Sequence, residues 1–249
     1  MERREFCAVS GSAIGSLILG SDCRPLITSA AGDGRLSARI LSNVKTTVSG
    51  KISISAGGKR DAILLVPAKA ANSAVPLLVF LHGAGQSAAR MLEYLGSVPD
   101  QTGVAVLAAN SIDYTWDAVH NAFGADVESL NSLLGQVFQK LLVDPAKLAL
   151  GGFSDGATYA LSLGLINGDL FKRIVAFSPG FVVEGPANGK PDLFISHGTH
   201  DHILPIDRCG RRIAGSLKSK GYNVVLREFD GDHEVPDEVA REGLSWVAR

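Results

Sequence analysis

From residue 61 onward the chain alternates short apolar runs with stretches in which apolar residues recur every three or four positions. The runs at 77–81, 104–109, 147–150, 173–177, 193–196 and 224–229 are too short for helices and predict strands. Their largely unbroken apolar character predicts strands covered on both faces. Helices are predicted between them, at 87–95, 126–142, 157–166, 207–220 and 236–247. In the second of these, Leu130, Leu133, Leu134, Val137, Phe138 and Leu141 share one face. Pro236 suits a first helical turn, where its missing N–H costs nothing. Three earlier stretches, 35–40, 51–55 and 61–66, alternate enough to predict strands, the first two antiparallel. No repeat or Pro/Gly-rich linker divides 32–249. The expectation is one α/β domain with a doubly wound, mostly parallel central sheet flanked by helices.

Composition narrows the function classes. Aromatics make up 6% of the 249 residues and Gly is abundant at 28, which suits a buried parallel sheet with tight turns. The net charge is −1 with no basic stripe, so a nucleic-acid partner has no electrostatic footprint. No apolar run approaches the ~20 residues of a membrane helix, so stable membrane insertion is not expected. Residues 1–31 differ from the rest. Arg3-Arg4-Glu5-Phe6, a mild apolar stretch at 8–19 and Ser29-Ala30-Ala31 predict an export leader of the twin-arginine kind. The protein would then be periplasmic or secreted; the alternative is a plain N-terminal tail on a cytoplasmic protein. Cys7 and Cys23 fall in this stretch, and Cys209 reads as a small buried hydrophobe.

Gly152-Phe153-Ser154-Asp155-Gly156 carries the strongest chemical signal. An apolar strand runs into it and an Ala- and Leu-rich helix runs out. A strand that turns this sharply into a helix strains the central serine, and side chains at the two Gly positions would collide with neighbouring elements. Ser154 is therefore the candidate nucleophile, against the plainer reading of a capped turn. A serine hydroxyl needs a base. His233, in the loop between the last strand and the last helix, is the candidate base, and Asp201, in the loop after the strand at 193–196, the candidate acid. Asp207 and Asp232 are the rivals for the acid. Leu81-His82-Gly83-Ala84-Gly85-Gln86-Ser87 joins a strand to a helix and offers a backbone cradle for an oxyanion, with the N–H groups of Ala84 and Asp155 as donors. A phosphate loop would bring a G-K-[ST] ending, which is missing.

With these motifs in order, the chain resembles the phospholipase/carboxylesterase family of α/β-hydrolases, which includes acyl-protein thioesterases, and exported esterases related to polyhydroxyalkanoate depolymerases and feruloyl esterases. Residues 80–87, 143–148, 151–157, 176–180, 197–201 and 231–236 carry the resemblance. It implies an α/β-hydrolase fold and hydrolysis of a small-molecule carboxylic ester through Ser154, His233 and Asp201, by way of an acyl-enzyme and with no cofactor. Asp155 stands where thioesterase-like members usually carry Gln, and the region around Trp116-Asp117 lacks their fuller aromatic motif. Both departures point from acyl-protein substrates toward other esters. The short stretch between Gly180 and Pro191 leaves no room for a large cap domain and favours small or accessible esters. Trp116 and Phe181 are candidate substrate-binding walls, or else core residues. Two other function classes stay open: a metal-dependent hydrolase using His197, His200 and His202, and a binding module without catalysis on the same fold.

Overall fold

The computed structural model describes residues 32–56, 61–120 and 122–249. The expected leader, with Cys7 and Cys23, lies outside the described residues. Eight strands form one sheet: β1 (Gly50–Ile54), β2 (Ala62–Val66), β3 (Val75–Leu81), β4 (Ala105–Ala109), β5 (Val143–Phe153), β6 (Arg173–Phe177), β7 (Asp192–Gly198) and β8 (Val224–Phe229). Their order across the sheet is β1-β2-β4-β3-β5-β6-β7-β8. β2 is antiparallel to both its neighbours, and all pairs from β4 to β8 are parallel.

The helices are α1 (Ala88–Leu95), α2 (Val98–Thr102), α3 (Asp117–His120), α4 (Ala125–Lys140), α5 (Asp155–Ile166), α6 (Gly210–Ser219) and α7 (Asp237–Ala248). Successive side chains of a strand point to opposite faces, and both faces here are covered. Leu77, Val79 and Leu81 of β3 join a cluster with Leu130, Leu134 and Phe138 of α4. Leu78 and Phe80 join a second cluster with Met91 of α1 and Val239 and Leu244 of α7. This two-sided burial is why the strands read as continuous apolar runs.

The sequence expectation differs from the structure in three places. Residues 35–40 are not a strand. The N–H of Leu36 donates to Asn167 Oδ1 at 2.9 Å, and those of Ser37 and Ala38 donate to Asn131 Oδ1 at 2.8 and 2.7 Å. Two asparagine side chains more than 90 residues away thus take the place of a neighbouring strand. The short helices α2 and α3 are additional, each too brief to show periodicity. β5 starts earlier than expected, because the shift in its pairing with β3 between Val75 and Leu77 accommodates Pro145.

Candidate active site

β5 delivers Ser154 at the C-terminal edge of the sheet. Ser154 has φ 57° and ψ −119°, a conformation rarely tolerated by a side chain. Its backbone is held on both sides: its N–H donates to the Phe177 carbonyl at 2.9 Å, and its carbonyl accepts from Thr158 N–H at 3.0 Å. The flanking glycines are obligatory. A Cβ on Gly152 would lie 2.3 Å from the Gly156 backbone, and one on Gly156 would lie 2.2 Å from the Leu81 carbonyl oxygen.

β3 and β5 are adjacent and in register, with Leu81 opposite Gly152, so the loop after β3 arrives beside the serine. A Cβ on Gly83 would sit 3.3 Å from Ser154 Cβ. His82 is fully buried, and its Nε2 accepts the Ser111 N–H at 3.0 Å. Its ring proton is therefore on Nδ1, which donates to the Gly83 carbonyl at 2.7 Å. In a trans peptide the N–H points opposite to the carbonyl, so the Ala84 N–H is directed away from His82. Among the described residues neither the Ala84 nor the Asp155 N–H has another hydrogen-bond partner.

The remaining two residues come from β7 and β8. Their loops are joined by Thr199 N–H to Phe229 O and His200 N–H to Gly231 O, both at 2.9 Å. His233 lies between its two partners. Its Nε2 is 2.9 Å from Ser154 Oγ, and its Nδ1 is 2.7 Å from Asp201 Oδ2. Asp201 is buried, and its Oδ1 accepts the N–H groups of Ile203 at 3.0 Å and Leu204 at 2.7 Å. Burial alone pushes this carboxyl up. Hydrogen bonds from His197, His233 and the Leu204 N–H outweigh it and hold the acid well below the usual carboxylate range. An ionised carboxylate only accepts, so His233 carries its proton on Nδ1 and offers the Nε2 lone pair to the serine hydroxyl. The rivals for the acid lie elsewhere: Asp207 pairs with Arg211, and Asp232 Oδ1 accepts the His233 N–H and faces His202.

One expected substrate wall is corrected: of the two readings of Trp116, wall or core, the structure gives core. Trp116 is fully buried and stacks on Tyr159 with ring centroids 5.2 Å apart, while its Nε1–H donates to the His82 carbonyl at 2.8 Å. It braces the loop after β3 from behind. Phe181 packs against the larger core cluster and lines a cavity of about 420 Å³ between α5 and α6, with Leu165, Ile213, Leu217 and Tyr222. Ser154, Asp201 and His233 do not line that cavity. Tyr114, which the sequence reading passed over, stands 72% exposed, with its ring against Gly85, whose N–H donates to the Tyr114 carbonyl. Thr115 Oγ1 donates to Asp155 Oδ2 at 2.7 Å, tying this loop to the serine turn. Its place after β4, on the same sheet edge as the other loops, was the available signal.

The three clustered histidines do not converge. His197 is buried against Asp201, whereas the exposed His200 and His202 pair with Asp230 and Asp232. Among the described residues no group of three or more His, Cys, Asp or Glu side chains is arranged to hold a metal ion.

A sequence profile of the phospholipase/carboxylesterase family matches residues 113–242, the stretch that holds Ser154, Asp201 and His233. An acyl-protein thioesterase 1 from Gibberella zeae is 29% identical over 106 residues, which cover 38% of this chain and 45% of that protein. A feruloyl esterase C from Emericella nidulans is 28% identical over 102 residues, covering 41% and 37%. The chain thus spans less than half the length of these curated relatives. An S-formylglutathione hydrolase structure from Staphylococcus aureus superimposes with a TM-score of 0.64 at 16% identity, over 80% of this chain and 99% of that one, a likeness of fold. The sheet and helices have the α/β-hydrolase arrangement, and with the profile matched over more than half its length the chain belongs to the phospholipase/carboxylesterase family.

Proposed function

We propose that the protein is a serine carboxylesterase acting on small or accessible esters, with Ser154 as nucleophile, His233 as base and Asp201 as the acid that orients it. The observation that carries this reading is the unbroken relay of 2.9 Å from Ser154 Oγ to His233 Nε2 and 2.7 Å from His233 Nδ1 to Asp201 Oδ2. In the first half-reaction Ser154 Oγ attacks the ester carbonyl carbon while its proton passes to His233 Nε2. The negative charge formed on the carbonyl oxygen is met by the N–H groups of Ala84 and Asp155. Collapse expels the alcohol, which takes the proton from His233, and leaves the acyl group on Ser154. Water then repeats the sequence, giving its proton to His233 and releasing the acid.

An open site is supported by the 178–191 connection, which contains no helix between β6 and β7. Tyr114 and Ile203, 72% and 58% exposed, supply apolar surface on loops that touch the oxyanion cradle and the acid. The name of the feruloyl esterase relative brings feruloyl esters, with the aromatic ring on the acyl side, into the screen.

The test is hydrolysis of p-nitrophenyl esters of graded chain length and of feruloyl esters, with Ser154→Ala as control. The variant should fold normally and lose about 10⁶-fold in kcat, because the members of such a relay act as a unit. Near-normal turnover by Ser154→Ala would mean that another group is the nucleophile.

A further inference from the structure

Asp201 is held by more groups than orienting His233 requires. Its Oδ2, the oxygen facing His233, also lies 3.2 Å from Nε2 of His197, a fully buried residue near the end of β7. The same Nε2 lies 2.6 Å from the Leu204 carbonyl oxygen. A carbonyl only accepts, so the His197 proton is on Nε2 and is shared between Leu204 O and Asp201 Oδ2. Leu204 in turn gives its N–H to Asp201 Oδ1 at 2.7 Å. The turn from Asp201 to Leu204 is thereby closed around the His197 ring.

The other ring nitrogen has no such use. Nδ1 of His197 is buried without a hydrogen-bond partner and rests against Gly210, where a Cβ would stand 2.7 Å from it. Leaving a buried polar atom unpartnered costs stability, and an apolar ring of similar size would avoid that cost. Space-filling does not account for a histidine here; the Nε2–H does. The carboxylate torsion is broad and roughly two-fold, so the plane in which Oδ2 meets His233 must be set by donors around it. Two backbone N–H groups hold Oδ1, and among the described residues His197 is the group besides His233 that holds Oδ2.

We propose that His197 is a positioning residue for the site, fixing the Asp201 carboxylate and the 201–204 turn so that His233 stays aligned on Ser154. The proposal rests on the assignment of Ser154, His233 and Asp201 made above. His197 touches neither the serine nor the base, so its loss should slow the chemical step and leave substrate binding alone.

The test compares His197→Gln, His197→Asn and His197→Phe in the full chain, with folding checked by circular dichroism and gel filtration. A Gln amide nitrogen reaches the position of Nε2, whereas an Asn amide falls at the position of Nδ1, facing Gly210. His197→Asn and His197→Phe should lose about 10²-fold in kcat with KM unchanged, the scale of a misplacement of about 1 Å. His197→Gln should recover most of that loss. If the Phe variant does not fold, the Gln and Asn pair still decides. Equal kcat for Gln and Asn, whether high or low, overturns the proposal, as does a loss that falls on KM. Hydrolysis that survives Ser154→Ala overturns the site assignment and this proposal with it; Ser154-dependent hydrolysis with Gln equal to Asn overturns this proposal alone.

Discussion

Ser154 occupies the conformation of the first central residue of a type II′ turn, which glycine adopts freely and a serine does not. Such a residue stores about 1–3 kcal/mol and persists because its surroundings over-determine it. Here the surroundings are the Phe177 carbonyl, the Thr158 N–H and two glycines into which no Cβ fits. The strain is testable apart from catalysis. Ser154→Gly and Ser154→Ala both remove the hydroxyl, but only the first relieves the backbone. Ser154→Gly should be the more stable by about 1 kcal/mol in urea unfolding, after the extra chain entropy of glycine is counted against it. A Gly variant less stable than the Ala variant by the full entropy cost of glycine, about 0.5–1 kcal/mol, would mean that the turn is unstrained. The same geometry explains why the serine was legible in sequence: the two glycines are demanded by contacts with Gly156 and Leu81. Trp116 and Phe181 were not legible in this way. An aromatic side chain in a loop has the same one-letter signature whether it faces a substrate or, like Trp116, donates to a backbone carbonyl inside the core.

The elements that build the site are loops at strand ends, and the loop after β4 is held by side chains from two helices, Asp126 of α4 and Asp155 of α5. Asp126, in the first turn of α4, is the clearest case. Its Oδ1 accepts the Ile112 N–H at 2.8 Å and its Oδ2 accepts the Asp117 N–H at 2.7 Å, so one buried carboxylate grips both ends of the loop that carries Tyr114, Thr115 and Trp116. Burial pushes this carboxyl up to about 6, and the two N–H groups offset only part of that. A carboxyl raised in the folded state binds more protons folded than unfolded between its unfolded value of about 4 and its folded value. Its contribution to stability therefore grows as pH falls through that window. Relative to Asp126→Asn, the wild type should gain in Tm between pH 7 and pH 4.5; a Tm difference independent of pH would contradict the shift. Asp201, and Asp169 with its carboxylate held low by two hydrogen bonds of 2.9 Å from the Arg35 guanidinium, act with the opposite sign, and their stabilisation is lost as pH falls below the usual carboxylate range. At this scale the sequence was legible wherever periodicity ran long, as in α4 and the inner strands. It failed at 35–40, where the expected strand partner is replaced by Asn131 and Asn167.

Across the whole molecule, the parallel sheet turns separations of 79 residues from Ser154 to His233 and 32 from Asp201 to His233 into two hydrogen bonds. Parallel strands place all their C-terminal ends on one edge, so loops after β3, β4, β5, β7 and β8 meet there whatever their distance along the chain. Asp201 and His233 were candidates in the sequence because each falls in a loop that follows a strand, and the structure brings both side chains into one hydrogen-bonded chain with Ser154. The support around them was not readable, because it depends on which nitrogen of His197 or His82 meets which oxygen. His197 in particular looked like one of three clustered histidines until its burial separated it from His200 and His202. The central claim, that these distant stretches activate Ser154, is tested most directly by labelling with a fluorophosphonate and mapping the adduct by mass spectrometry. The adduct should sit on the peptide containing Ser154, be absent from Ser154→Ala, and form far more slowly in His233→Ala. An adduct on a different residue, or ester hydrolysis that continues with Ser154 unlabelled, would contradict the account.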